Sequence, residues 1–133
     1  MIAAPLALLA ATGIAAAQDT GDSMDAMSMA TASGMFEGRS NHVSSGGVNI
    51  VVDNDRAFVV LGEDFMLDGG PDPRVAFGND GTYADGTILG ALVSLSGKQV
   101  YAVPPTMNVE DYSDVVIWCE VAQVPLAVAM LSQ

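Results

Sequence analysis

The run Val115-Val116-Ile117-Trp118-Cys119 constrains the fold of this chain more than any other stretch, because it is apolar, largely β-branched, and holds both the only Trp and the only Cys. Side chains of that kind suit a pleated, buried surface, so the run reads as a core strand. With a period of two, Val115, Ile117, Cys119 and Val121 point to one side, and Val116, Trp118 and Glu120 to the other. The thiol therefore shares a face with aliphatic side chains.

A strand buried on both sides needs neighbours. From Phe36 onward, turn residues recur roughly every ten positions between short runs of Val, Ile, Leu and Thr, a spacing that predicts an all-β domain. We expect a small antiparallel β-sandwich or partly open barrel over residues 35–133, one domain with one core. Gly47 to Asp53 alternates as a strand, Asp53-Asn54-Asp55 turns the chain, and Arg56 to Leu61 returns as its partner. The stretch Asp68-Gly69-Gly70-Pro71-Asp72-Pro73 is a loop, since its prolines remove donors and its glycines invite positive φ. A brief strand is expected at Val75 to Phe77. Ile88 to Leu95 and Lys98 to Val103 flank Ser96-Gly97 and predict a tight hairpin, with Val93 opposite Val100 and Leu92 opposite Tyr101. The last strand runs from Val121 to Leu131, where Pro125 predicts a bulge or an edge.

Ahead of this domain, Ile2 to Ala17 carry no charge and end in Ala15-Ala16-Ala17, which predicts a signal peptide at 1–17 even without a basic n-region. About 16 apolar residues fall short of the roughly 20 that a spanning helix needs, so cleavage is expected rather than membrane anchoring. The protein is then periplasmic or secreted. Residues 18–34 lack aromatic and β-branched aliphatic side chains and read as a flexible, acidic, Met-rich linker. The net charge of −12 argues against nucleic acid and anionic membrane surfaces as partners. Export permits disulfides, yet a lone cysteine cannot form one within the chain. Cys119 is left as a free thiol, an intermolecular partner or a ligand.

Several of these pieces, in order, resemble the DM-thirteen domain, a small family of exported β-rich modules proposed to act in electron transfer. They are Phe36-Glu37-Gly38, His42-Val43-Ser44-Ser45-Gly46-Gly47-Val48, Phe65, Gly70-Pro71-Asp72, Leu89-Gly90, Leu95-Ser96-Gly97-Lys98-Gln99-Val100-Tyr101 ending at Pro104, and Tyr112-Ser113-Asp114 leading into the central run. The resemblance spans Phe36 to Leu131. It implies a β-sandwich-like fold with Cys119 as signature residue, suited to redox chemistry or to holding a prosthetic group. Two departures stand out: Val124-Pro125-Leu126 replaces an expected Phe-Gly pair, and Pro73 is expected to shorten the strand that follows it.

The candidate site residues are Cys119, His42, Trp118 and Tyr101. A redox thiol is accessible and partly thiolate, whereas the aliphatic strand mates and Glu120 beside Cys119 favour an inert packing cysteine. His42 is the sole imidazole; it either hydrogen-bonds structurally or joins Cys119 as a ligand to copper or haem iron. Haem lacks a Cys-x-x-Cys-His attachment pattern here, and a blue-copper site needs a second His. Trp118 and Tyr101 either stack a ligand or seal the core. Met24, Met27 and Met29 offer closely spaced thioethers to Cu(I). No enzymatic reaction is expected, since hydrolase devices have only His42 to use and no Gly-x-Ser-x-Gly elbow is present. The reading is an exported, monomeric electron-transfer or ligand-binding module centred on Cys119, with a redox protein or small ligand as partner. Its alternatives are a structural or interaction β-sandwich with a packing cysteine, and a periplasmic copper binder.

Overall fold

The computed structural model describes residues 29–132 and contains no α-helix among them. Its strands are β1 (Met29–Gly38), β2 (Ser44–Ser45), β3 (Gly47–Asp53), β4 (Arg56–Leu61), β5 (Met66–Leu67), β6 (Pro73–Asn79), β7 (Thr82–Tyr83), β8 (Gly90–Ala91), β9 (Gln99–Ala102), β10 (Asp114–Cys119) and β11 (Val124–Met130). The main sheet runs β7-β6-β10-β11-β1-β3-β4-β9, with β8 also on β6, while β2 and β5 form a separate pair. Every pairing is antiparallel.

This single sheet curls into a half-barrel. Ile50, Val59, Leu61 and Tyr101 from one half share one core with Val75, Phe77, Val115, Ile117 and Cys119 from the other. Of the two expected architectures, the partly open barrel is the one that forms, because continuous pairing through β11, β1 and β3 joins what would otherwise be two layers. The central run behaves as its composition requires: all of β10 is buried, held between β6 and β11. Val116 and Trp118 fall on its convex side, where they pack with Val128 under Tyr83 and Ile88.

The β3–β4 hairpin forms as expected, with Asn54 and Asp55 both at positive φ, 52° and 66°, in a two-residue turn between paired Asp53 and Arg56. Pro125 does mark a bulge: the register steps from Ile117↔Ala127 to Trp118↔Pro125, leaving Leu126 as the extra residue.

Three expectations are corrected. Strand β1 begins at Met29, so 29–34, which composition assigned to the linker, lie in the sheet and pair with β3, while β11 pairs with 36–38. Its small residues have little strand propensity; the ladder to β3, with one bridge from Ser33 to Ser132, orders them instead. The Ile88–Leu95 and Lys98–Val103 hairpin does not form: Gly90 and Ala91 pair with β6, while β9 pairs with β4. The intervening segment turns to the 65–67 region, where Leu67 N–H donates to Leu95 O at 2.8 Å and Gly97 N–H to Phe65 O at 3.0 Å. Finally, Pro73 does not shorten its strand. It opens the seven-residue β6, a first position that tolerates a missing donor. The expected leader, with Met24 and Met27, lies outside the described residues.

Candidate functional site

Cys119 ends β10, where the chain turns through 120–123 into β11. Its side chain is 0 % exposed. Both hydrogen-bonding capacities of the sulfur are used: the thiol donates to Pro71 O at 3.0 Å, and Ala122 N–H donates to Sγ at 3.3 Å. Its neighbours on the concave side are aliphatic.

What covers the sulfur is the loop from Asp68 to Asp72. Gly69, Gly70 and Asp72 all take positive φ, and Gly70 to Asp72 are exposed. A Cβ on Gly70 would lie 2.9 Å from Leu126 Cδ1 and 3.4 Å from His42 Cε1, so the loop crosses this end of the half-barrel in close contact. A carboxylate pins each of its ends. Asp68 accepts from Val43 N–H at 3.0 Å and pairs with His42 Nδ1 at 2.8 Å. The Val43 amide and the neighbouring imidazole hold its carboxyl below the ordinary aspartate range. Asp72 is gripped by Arg74 in a fork, Nε to Oδ1 at 3.2 Å and Nη2 to Oδ2 at 3.0 Å, while its carbonyl accepts from Glu120 N–H at 3.2 Å.

The expected residues are thus partly brought together. His42 and Cys119 meet one loop at successive positions, Gly70 and Pro71, without bonding to each other. His42 is a hydrogen-bonding residue. Trp118 faces the convex side and stacks on Tyr83, centroids 4.1 Å apart and planes at 17°, which seals that side. Tyr101 points into the core, donates to Gln99 Oε1 at 2.6 Å and accepts from Val93 N–H at 2.9 Å. Burial pushes its phenol upward in pKa. Met29 opens β1 opposite Val52.

Asp68, Asp72 and Arg74 were not singled out from sequence. Their signal was the pair of carboxylates bracketing Gly69-Gly70-Pro71. At the opposite end, a cleft of about 440 Å³ lies between β1, β3 and the 3-10 turn Val109–Asp111, lined by Ile50, Glu110, Asp111, Tyr112 and Leu131.

A family model described as Electron transfer DM13 matches residues 35–131. The chain belongs to the DM13 family. No curated protein and no solved structure matches it. The match covers nearly every described strand, and Gly70-Pro71-Asp72 and Cys119, far apart in the DM13 sequence, meet through the bond from Sγ to Pro71 O. The same geometry tests the prosthetic group that the resemblance implies. A haem iron bound by Cys119 needs its sulfur bare at a flat, open pocket. Here Sγ is buried and doubly hydrogen-bonded, and the 440 Å³ cleft is at the other end. The residues do not fit a haem on Cys119. Nor, among the described residues, do three His, Cys, Asp or Glu side chains converge on one point as a metal site.

Proposed function

We propose that this DM13 domain carries electrons through the thiol of Cys119 itself, with no prosthetic group on it, in an exported setting, as a carrier rather than an enzyme. The observation that supports this most is the cover over the sulfur. Gly70 to Asp72 are exposed, Gly69 and Gly70 carry no side-chain bulk, and the loop is held by the solvent-facing pairs His42–Asp68 and Arg74–Asp72 with a few bonds to Val43, Cys119 and Glu120. Exposed pairs contribute little to stability, so the loop opens at far lower cost than the sheet.

With the loop lifted, Sγ loses the Pro71 carbonyl and keeps the Ala122 N–H, which leaves the sulfur open to a partner. The thiolate then attacks one sulfur of a partner disulfide. A bond forms between Sγ and that sulfur, the partner S–S bond breaks, and the second partner sulfur leaves as thiolate. The Cys119 proton goes to solvent. Cys119 is oxidised to a mixed disulfide and the partner is reduced; a second partner thiol reverses the step.

A second reading, an interaction scaffold in which the cysteine only packs, is favoured by the complete burial of Cys119. Equilibration of the native protein in glutathione redox buffers, followed by mass spectrometry, separates the two. The carrier reading expects a reversible adduct on Cys119 that vanishes in Cys119→Ser. An unmodified native protein at every ratio of oxidised to reduced glutathione leaves the scaffold reading.

A further inference from the structure

The two margins of the main sheet differ. On one side β6 is covered by both β7 and β8. On the other, β9 pairs with β4 and, among the described residues, nothing continues the sheet beyond it. The orientation of its backbone follows from one bond: Val103 N–H donates to Ala57 O at 2.9 Å. Antiparallel alternation then turns Tyr101 and Gln99 toward β4 and leaves the N–H and C=O of Val100 and Ala102 pointing outward.

The convex face beside this edge is apolar. Cross-strand pairing aligns Val51, Phe58 and Ala102 in one row, and Asn49, Val60 and Val100 in the next. Val100 is 57 % exposed on this face, and Val93, whose N–H bonds to Tyr101 on the other side of β9, is 80 % exposed. A bare edge flanked by exposed valines is the arrangement that natural sheets ordinarily block.

We infer that this edge joins a second copy of the chain, β9 against β9 across a two-fold axis, into one continuous sheet. The charge pattern selects the occupant. The chain carries a net −12, yet no carboxylate occurs between Asp85 and Glu110 or within β4. Two copies meeting here bring no acidic residues of β4 or β9 face to face. Centring the axis on Tyr101 places Val100 opposite Ala102 of the second copy, each pair exchanging both backbone bonds. Lys98 then lies opposite Pro104 of the second copy, so no like charges are opposed. The monomer expected from sequence becomes one member of a reversible equilibrium.

The test is sedimentation equilibrium of the full chain over a concentration series. Ala102→Pro removes an outward donor and leaves the bonds to β4 intact, and Val100→Lys adds a cation beside Lys98. The parent should self-associate reversibly; Ala102→Pro should weaken association by about tenfold or more, as expected for a symmetric loss of two backbone bonds, and Val100→Lys should weaken it through the added like charges at the seam. Val121→Lys, at an exposed turn away from the edge, should associate as the parent does. A parent that stays monomeric throughout, or edge variants that still melt as the parent does and associate with unchanged strength, overturns the inference.

Discussion

The thiol of Cys119 donates to the carbonyl of Pro71 at 3.0 Å, so the end of the central strand and the loop that covers it are joined by a single sulfur. This bond ties the chemistry of the site to the mobility of its cover. Changing either partner should register in the other.

Replacing the sulfur comes first. Cys119→Ala leaves Pro71 O and Ala122 N–H, part-buried groups on exposed residues, without their sulfur partner and leaves a gap at a fully buried side chain. The expected loss is about 1–3 kcal/mol in urea unfolding, with Cys119→Ser falling between Ala and the parent because a hydroxyl can keep both bonds. Equal stability of all three proteins would show that the sulfur bonds contribute nothing.

Gly70→Ala should loosen the cover. Gly70 has φ of 139°, and a Cβ would press on Leu126 and His42. The strain is of order 1–3 kcal/mol, concentrated in the loop. Thiol labelling should therefore accelerate by about tenfold or more while the sheet keeps its circular dichroism. Labelling at the parental rate would mean that Gly70 does not control access.

Much of the architecture was legible in the sequence, and the failures share a cause. The alternation of Val115 to Cys119 and the pair Asn54-Asp55 are local signals, and both led to the right element. The strand at 29–34 was missed because Ala30, Ala32 and Gly34 order through their ladder to Val51, Ile50 and Val48 of β3, which no local pattern encodes. The false hairpin at Ser96-Gly97 came from the reverse error, a good local turn overruled by Gln99, whose side chain accepts from Val93 and Ser94 N–H and holds them apart from a ladder. At the site, Cys119 and His42 were visible as unique residues. The carboxylates that pin the loop were not, since Asp68 and Asp72 look like ordinary turn residues until their partners are placed.

Acid should release one end of the loop. The carboxyl of Asp68 titrates below its ordinary value of 3.8, so its contribution to the folded state is present above that value and is lost as pH falls through the lowered one. The Val43 amide resonance, which reports the bond to Asp68, should shift with a midpoint below 3.8 and should not shift in Asp68→Asn. A midpoint at or above the ordinary value contradicts the pairing.

Tyr101→Phe separates the core from the site. It deletes the bonds to Gln99 and Val93 in the β9 half of the barrel and should cost about 1 kcal/mol of stability. The rate of Cys119 labelling in native buffer should not change. A parallel rise in labelling would mean that the sulfur is reached only by opening the whole barrel.

The most direct measurement of the central claim is the rate of Cys119 modification by a small disulfide reagent across low denaturant concentrations. A cover that opens alone exposes little surface, so the rate should be nearly independent of denaturant, and Arg74→Gln, which frees Asp72, should raise it with little change in melting temperature. A rate that climbs with denaturant as steeply as global unfolding, and that ignores Arg74→Gln, would contradict the account and leave Cys119 as a packing residue.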